Sequence, residues 1–139
     1  MVHKFFTNQL PIKKLLLCGL VLLTSCSQSE FKKFSIDCDG NKTDFTNTNT
    51  LITKEKRSYI FDENFMKEKN CVIENKQVTC LKEYQSGPKT ITRERIIYSL
   101  GNYSFSELIQ VIGIDESKNL PMFIKSQTYQ SSCPMKMIY

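Results

Sequence analysis

Cys71 and Cys80 bracket the segment with the clearest chemistry in this chain, Cys71-Val-Ile-Glu-Asn-Lys-Gln-Val-Thr-Cys80. A two-residue turn at Asn75-Lys76 predicts a hairpin in which Glu74 faces Gln77, Ile73 faces Val78, Val72 faces Thr79 and Cys71 faces Cys80. Opposed pairs alternate between hydrogen-bonded and non-hydrogen-bonded sites, and the pair flanking the turn is hydrogen-bonded. Cys71 and Cys80 then fall on a non-hydrogen-bonded site, where side chains approach most closely, so a cross-strand disulfide is expected. The same register puts Cys71, Ile73, Val78 and Cys80 on one face. Closing so short a loop contributes roughly 2–3 kcal/mol.

The other cysteines are Cys18, Cys26, Cys38 and Cys133. Their setting is decided at the N-terminus. Lys4, Lys13 and Lys14 precede an apolar run from Leu15 to Leu23, and Thr24 and Ser25 are small residues suited to a cleavage site. Nine helical residues span only about 14 Å, well short of a hydrocarbon core of roughly 30 Å, so a stable transmembrane helix is disfavoured. The segment Leu23-Thr24-Ser25-Cys26 resembles the lipobox of bacterial lipoprotein precursors at all four positions. The resemblance implies cleavage between Ser25 and Cys26, with lipid on the Cys26 thiol and acyl chains such as palmitate holding the protein on a bilayer. It places the protein in a bacterial cell envelope, and Ser27, where Asp commonly signals inner-membrane retention, points to the outer membrane.

Removing residues 1–25 changes the composition. A mature chain from Cys26 to Tyr139 has 114 residues, 139 less 25, enough for one small domain. Three lysines leave, so 19 basic residues become 16 against 14 acidic ones, and the charge falls from +5 to about +2. With no long basic stretch left, nucleic acid is not an expected partner. His3, the chain's one histidine, also leaves, and the chain has no Trp. The commonest general base and metal ligand are then gone, and neither enzyme activity, a cofactor nor a bound metal is expected. Cys18 leaves too and Cys26 is lipidated. The four remaining thiols, Cys38, Cys71, Cys80 and Cys133, read as two disulfides of an exported domain. A zinc site is the rival, but it usually needs tight Cys pairs, and these gaps are 33, 9 and 53 residues. Four cysteines allow three connectivities, of which Cys71–Cys80 with Cys38–Cys133 fits the hairpin.

Two further motifs dissolve on inspection. Asp37-Cys-Asp-Gly-Asn-Lys-Thr-Asp44 suggests a calcium loop, but an EF-hand needs Gly at its sixth position and Glu at its twelfth. Here Gly40 is fourth and Thr48 is twelfth, so a turn after Cys38 is expected. Ser86-Gly-Pro-Lys89 fits the Ser-x-x-Lys motif of penicillin-binding proteins, which belongs at a helix start; Gly87-Pro88 marks a turn between strands instead.

The elements that position these residues read mainly as strands. Phe34–Cys38, Ser58–Phe61, Thr90–Leu100 and Met122–Gln130 are β-rich runs. Gly101-Asn102 sits at a hairpin between Tyr98 and Phe105. Residues 61–69 fit one helical turn or a loop. Residues 104–112 carry a capping-box pattern, Ser104 with Glu107, but Ile109, Val111 and Ile112 favour a strand. The expected organisation is a signal peptide over 1–25, a lipidated tether over 26–33 and a single domain over 34–139. That domain is all-β, a small antiparallel sandwich or flattened barrel with two disulfides.

Lys89, Arg93 and Arg95 suggest a basic strand face, and Tyr98 and Tyr103 border the same hairpin. Arginine with aromatics is the composition of interface hot spots, so these five form a candidate interaction face. The expected function is a non-enzymatic binding module with an envelope protein as partner. The alternatives are a structural envelope accessory and an inhibitor or exclusion lipoprotein of phage or plasmid type. The lipobox, small size and early Cys near a Gly are similar to the membrane-bound inhibitors of C-type lysozyme, although that family's Trp-bearing strand has no counterpart in this Trp-free chain.

Overall fold

Twelve- and thirteen-residue strands replace the short runs read from the sequence. The computed structural model describes residues 32–139; the signal segment, Ser25, Cys26 and the tether up to residue 31 lie outside the described residues. The elements are β1 (Phe34–Thr46), β2 (Thr50–Phe61), α1 (Glu63–Glu68), β3 (Cys71–Glu74), β4 (Gln77–Gly87), β5 (Thr90–Ser99), β6 (Ser104–Asp115), β7 (Leu120–Ser132) and β8 (Met135–Met137). All pairings are antiparallel, in the order β2-β1-β7-β6-β5-β4-β3, with β8 added alongside the start of β1. The described domain is all-β, as expected.

One short connection forces this sheet to curl. Strands β2 and β3 are the two ends of the seven-strand path, yet only residues 62–70 join them. Laid flat, six strand spacings would part them by about 29 Å. A six-residue helix and three extended residues reach only about 19 Å. The sheet therefore wraps until its edges approach, and α1 bridges the gap as a flattened, incompletely closed barrel. Asp62 starts the helix by accepting from the Phe65 amide at 2.8 Å. Phe65 then packs edge-on against Phe61, with ring centroids 4.9 Å apart.

The interior is apolar at the end where α1 sits. Register places Phe34, Ile36 and Cys38 of β1 on one face with Phe61 and Tyr59 of β2, Val78 and Cys80 of β4, Ile96 and Tyr98 of β5, Phe105 of β6 and Tyr129 of β7. All of these are buried except Tyr59, which is half-buried. Tyr98 stacks at 5.9 Å on both Phe34 and Phe61, strands that are not its hydrogen-bonded neighbours, so the contact crosses the barrel. Its hydroxyl donates to the Cys133 carbonyl at 2.8 Å, satisfying the one polar atom that burial would strand.

Both expected disulfides form, Cys71–Cys80 on the predicted hairpin register and Cys38–Cys133 as the remaining pair. Cys71 lies opposite Cys80, and Asn75 and Lys76 take the positive φ values of 50° and 60° that a tight hairpin turn requires. Cys38–Cys133 closes a separation of 95 residues. It ties β1 to the break between β7 and β8, where Pro134 interrupts the ladder because it has no N–H to donate.

Gly40 corrects the sequence reading. Asp39-Gly40 is not a turn; β1 runs through it to Thr46, and the reversal comes at residues 47–49. A Cβ on Gly40 would collide with the Gln130 carbonyl oxygen and lie 2.6 Å from the Ser131 Cβ. Glycine is there because β7 passes too close for any side chain, two residues from the disulfide. We expect Gly40→Ala to cost about 2–3 kcal/mol as β7 is pushed aside. Denaturant midpoints would check this, and an unchanged midpoint would refute it.

The remaining elements follow their local signals. Residues 63–68 take the helical option, and 104–115 the strand option. Tyr98 faces Phe105 across the β5–β6 hairpin.

Candidate functional site

The apolar end of the barrel does not close flush. Helix α1, β3, β8 and the end of β5 leave an open groove of about 800 Å³ between them. Phe34, Met66, Ile73, Leu100, Met135 and Met137 supply its apolar lining. The alternation of β8 aims Met135 and Met137 to the same side, and α1 contributes Met66. Lys32, Lys67 and Glu63 also line the groove. Neither lysine makes an ion pair among the described residues. Lys32 precedes the start of β1 at Phe34 by two residues, so β1 begins at this groove.

Further up the barrel the interior turns polar. Register puts Arg57 and Glu55 of β2, Glu107 of β6 and Gln127 of β7 on the inward face. The Arg57 guanidinium sits 4.3 Å from the Tyr129 ring centroid and pairs with Glu107 and, at 3.0 Å, with Glu55. The Gln127 amide, oriented with its oxygen toward Arg57, accepts from Nη2 at 2.8 Å and donates to Asp44 at 3.3 Å. Burial raises the Glu107 carboxyl above the ordinary 4.5, and the Arg57 charge opposes this without cancelling it. Burial likewise pushes the Tyr59 hydroxyl, 3.3 Å from Glu107, up to about 12.

A second network lies beside it. Lys69, just past α1, donates to Glu94 at 2.7 Å, and the Tyr84 hydroxyl donates to the same carboxylate at 3.1 Å. Burial acts to raise Glu94, but the Lys69 hydrogen bond and charge, helped by Tyr84, outweigh it and hold the carboxyl below 4.5. No buried side-chain N or O atom among the described residues lacks a partner. Charges matched this closely hold strands in register and leave no group free to seize a ligand. The groove, by contrast, combines exposed apolar surface with unpaired cations.

The proposed interaction face comes apart in the structure. Arg93 and Arg95 lie on the outer face of β5, whereas Tyr98, one register class away, points into the core with no exposure. The outer Arg93 pairs with Glu83 across the strand, and Lys89 pairs with Glu116. Tyr103 is exposed at the β5–β6 turn with φ at 59°. No single face carries all five.

The remaining motif residues scatter in the same way. Asp37 bonds Ser58 and Lys136, Asp39 pairs with Lys56 and Asp44 pairs with Lys42. Along one continuous strand, Asp37 and Asp39 point away from the face that holds Asp44. Among the described residues no cluster of three or more metal-binding side chains occurs. The Ser86 hydroxyl bonds Thr90 and Thr92 while Lys89 turns to Glu116, so the Ser-x-x-Lys pair does not act together.

The sequence reading passed over Arg57 and the groove, and took Glu107 only as a helix-capping partner of Ser104. Glu107 carried a signal: it shares parity with Phe105, Ile109 and Val111, so an inward carboxylate among apolar neighbours was implied. The groove had none, because its six apolar residues come from five separate stretches of chain.

Set against known proteins, the chain matches no family model and shows no significant similarity to a curated protein or a solved structure.

Proposed function

We propose that this protein is a non-enzymatic binding module of the bacterial cell envelope, held on a membrane, in the outer membrane for preference, through lipid on Cys26. The observation that carries the reading is the open apolar groove beside Lys32. Lys32 lies six positions after Cys26, a reach of at most about 21 Å when extended. A lipid on Cys26 would therefore hold the groove close to the bilayer surface. Two disulfides suit an oxidising, exported compartment.

The anchor is tested by Cys26→Ser. We expect the variant to move from the membrane fraction to the soluble fraction and to lose incorporation of radiolabelled palmitate. Continued labelling and membrane retention would sink the lipobox reading. The binding role is tested with a photo-crosslinking residue at Leu100, on the groove wall. Crosslinks formed in intact cells and absent from the same probe placed at Arg95, on the outer sheet face, support it.

A further inference from the structure

We infer that the groove binds a single fatty-acyl chain carrying an anionic head group, taken as a free amphiphile from the adjacent bilayer. This rests on the reading of the groove as the binding site and names its ligand class. Three features point the same way. The first is size: about 800 Å³ lies within the range of pockets that enclose small ligands. The second is the lining. Met66, Met135 and Met137 are unbranched, with polarisable sulfur and three rotatable bonds, and they adapt to a flexible chain of variable kink better than branched residues do. Phe34, on the groove wall, stacks on the buried Phe61 with ring centroids 4.7 Å apart, so aromatic core packing backs this part of the groove.

The third feature is charge. Lys32 and Lys67 face Glu63 around the groove, two cations to one carboxylate, and neither lysine is ion-paired among the described residues. Other cations of the described domain, among them Lys33, Lys54, Lys76, Arg95, Lys118 and Lys125, are also without an ion pair, so what marks Lys32 and Lys67 is their place on the rim of an apolar groove. A phosphate or carboxylate head group would supply the missing anion while the chain covers the methionines.

The absence of Trp from the chain gives a clean reporter. Met137→Trp and Leu100→Trp place a sole indole on opposite walls of the groove. Each variant would be titrated with doxyl-labelled stearate, both as the lipidated chain in phosphatidylcholine vesicles and as the Cys26→Ser chain in solution. We expect saturable quenching of both indoles in both forms. Adding Lys32→Glu and Lys67→Glu should weaken stearate roughly tenfold, the sum of two exposed ion pairs, and leave a neutral doxyl monoglyceride within about twofold. Absence of saturable quenching at both indoles would overturn the proposal. So would equal loss for the charged and neutral probes. Quenching confined to the Cys26→Ser form would assign the groove to the protein's own acyl chain and overturn the free amphiphile. Palmitate labelling of the same preparations reports on the anchor separately, so failure of the anchor and failure of the ligand are distinguishable.

Discussion

Replacing Cys38 and Cys133 together by alanine is expected to remove about 4–5 kcal/mol, a large share of the net stability of a domain of this size. The bridge spans 95 residues. In the chain-entropy model a loop of that length restricts the unfolded chain by about 4–5 kcal/mol. A domain of this size has a net stability of about 5–15 kcal/mol, and this one carries its core at one end only. The bridge also spans the break at Pro134, where no ladder hydrogen bond holds β1 to the returning chain. Removing Cys71 and Cys80 should cost less, roughly 2–3 kcal/mol, because their loop closes a separation of nine residues. Denaturant unfolding followed by circular dichroism gives both numbers. If the short bridge proves the costlier one, loop length is not what governs stability here.

Arg57→Leu carries the second large effect, and its size depends on pH. The guanidinium neutralises Glu107 inside the barrel, where the carboxylate side chain is 12% exposed. Without it, an ionised carboxylate remains buried and uncompensated, at a cost of about 3 kcal/mol near neutrality. Burial already holds the Glu107 carboxyl above 4.5 in the folded state, and loss of the cation raises it further. A carboxyl raised on folding binds more protons in the folded chain than in the unfolded one. Its penalty is therefore absent below the unfolded value and grows as pH rises toward the folded one. Arg57→Leu should then be nearly as stable as the parent at pH 4 and clearly weaker at pH 7. Adding Glu107→Leu should recover most of the loss at pH 7. Melting temperatures at both pH values decide the matter. An equal loss at the two pH values would mean that packing of the Arg57 stem on Tyr129, and not charge, sets the cost.

What was readable beforehand was local. The Cys71–Cys80 hairpin needed only an alternation of two and a turn at Asn75-Lys76, both contained in ten adjacent residues. The β5–β6 register around Tyr98 and Phe105 was readable for the same reason. The wrong readings had two sources, a distant strand in one case and neglected strand alternation in the other. Gly40 resembled a turn residue until β7, some ninety positions later, passed across it. Tyr98 was grouped with Arg93 and Arg95 by nearness in sequence, but a β-strand sends odd and even residues to opposite faces.

The sequence by itself determined the all-β class, the paired set of four cysteines and the register of the cysteine hairpin, because each follows from side-chain alternation and from counting. The curl of the sheet, the inward Arg57–Glu107 pair and the groove were decided only in three dimensions. They arise because a nine-residue connection must join the two ends of a seven-strand path, and that constraint appears only once strand order is known. The same closure gathers Met66, Leu100 and Met137 from separate parts of the chain onto one groove, at the end of the barrel where β1 begins.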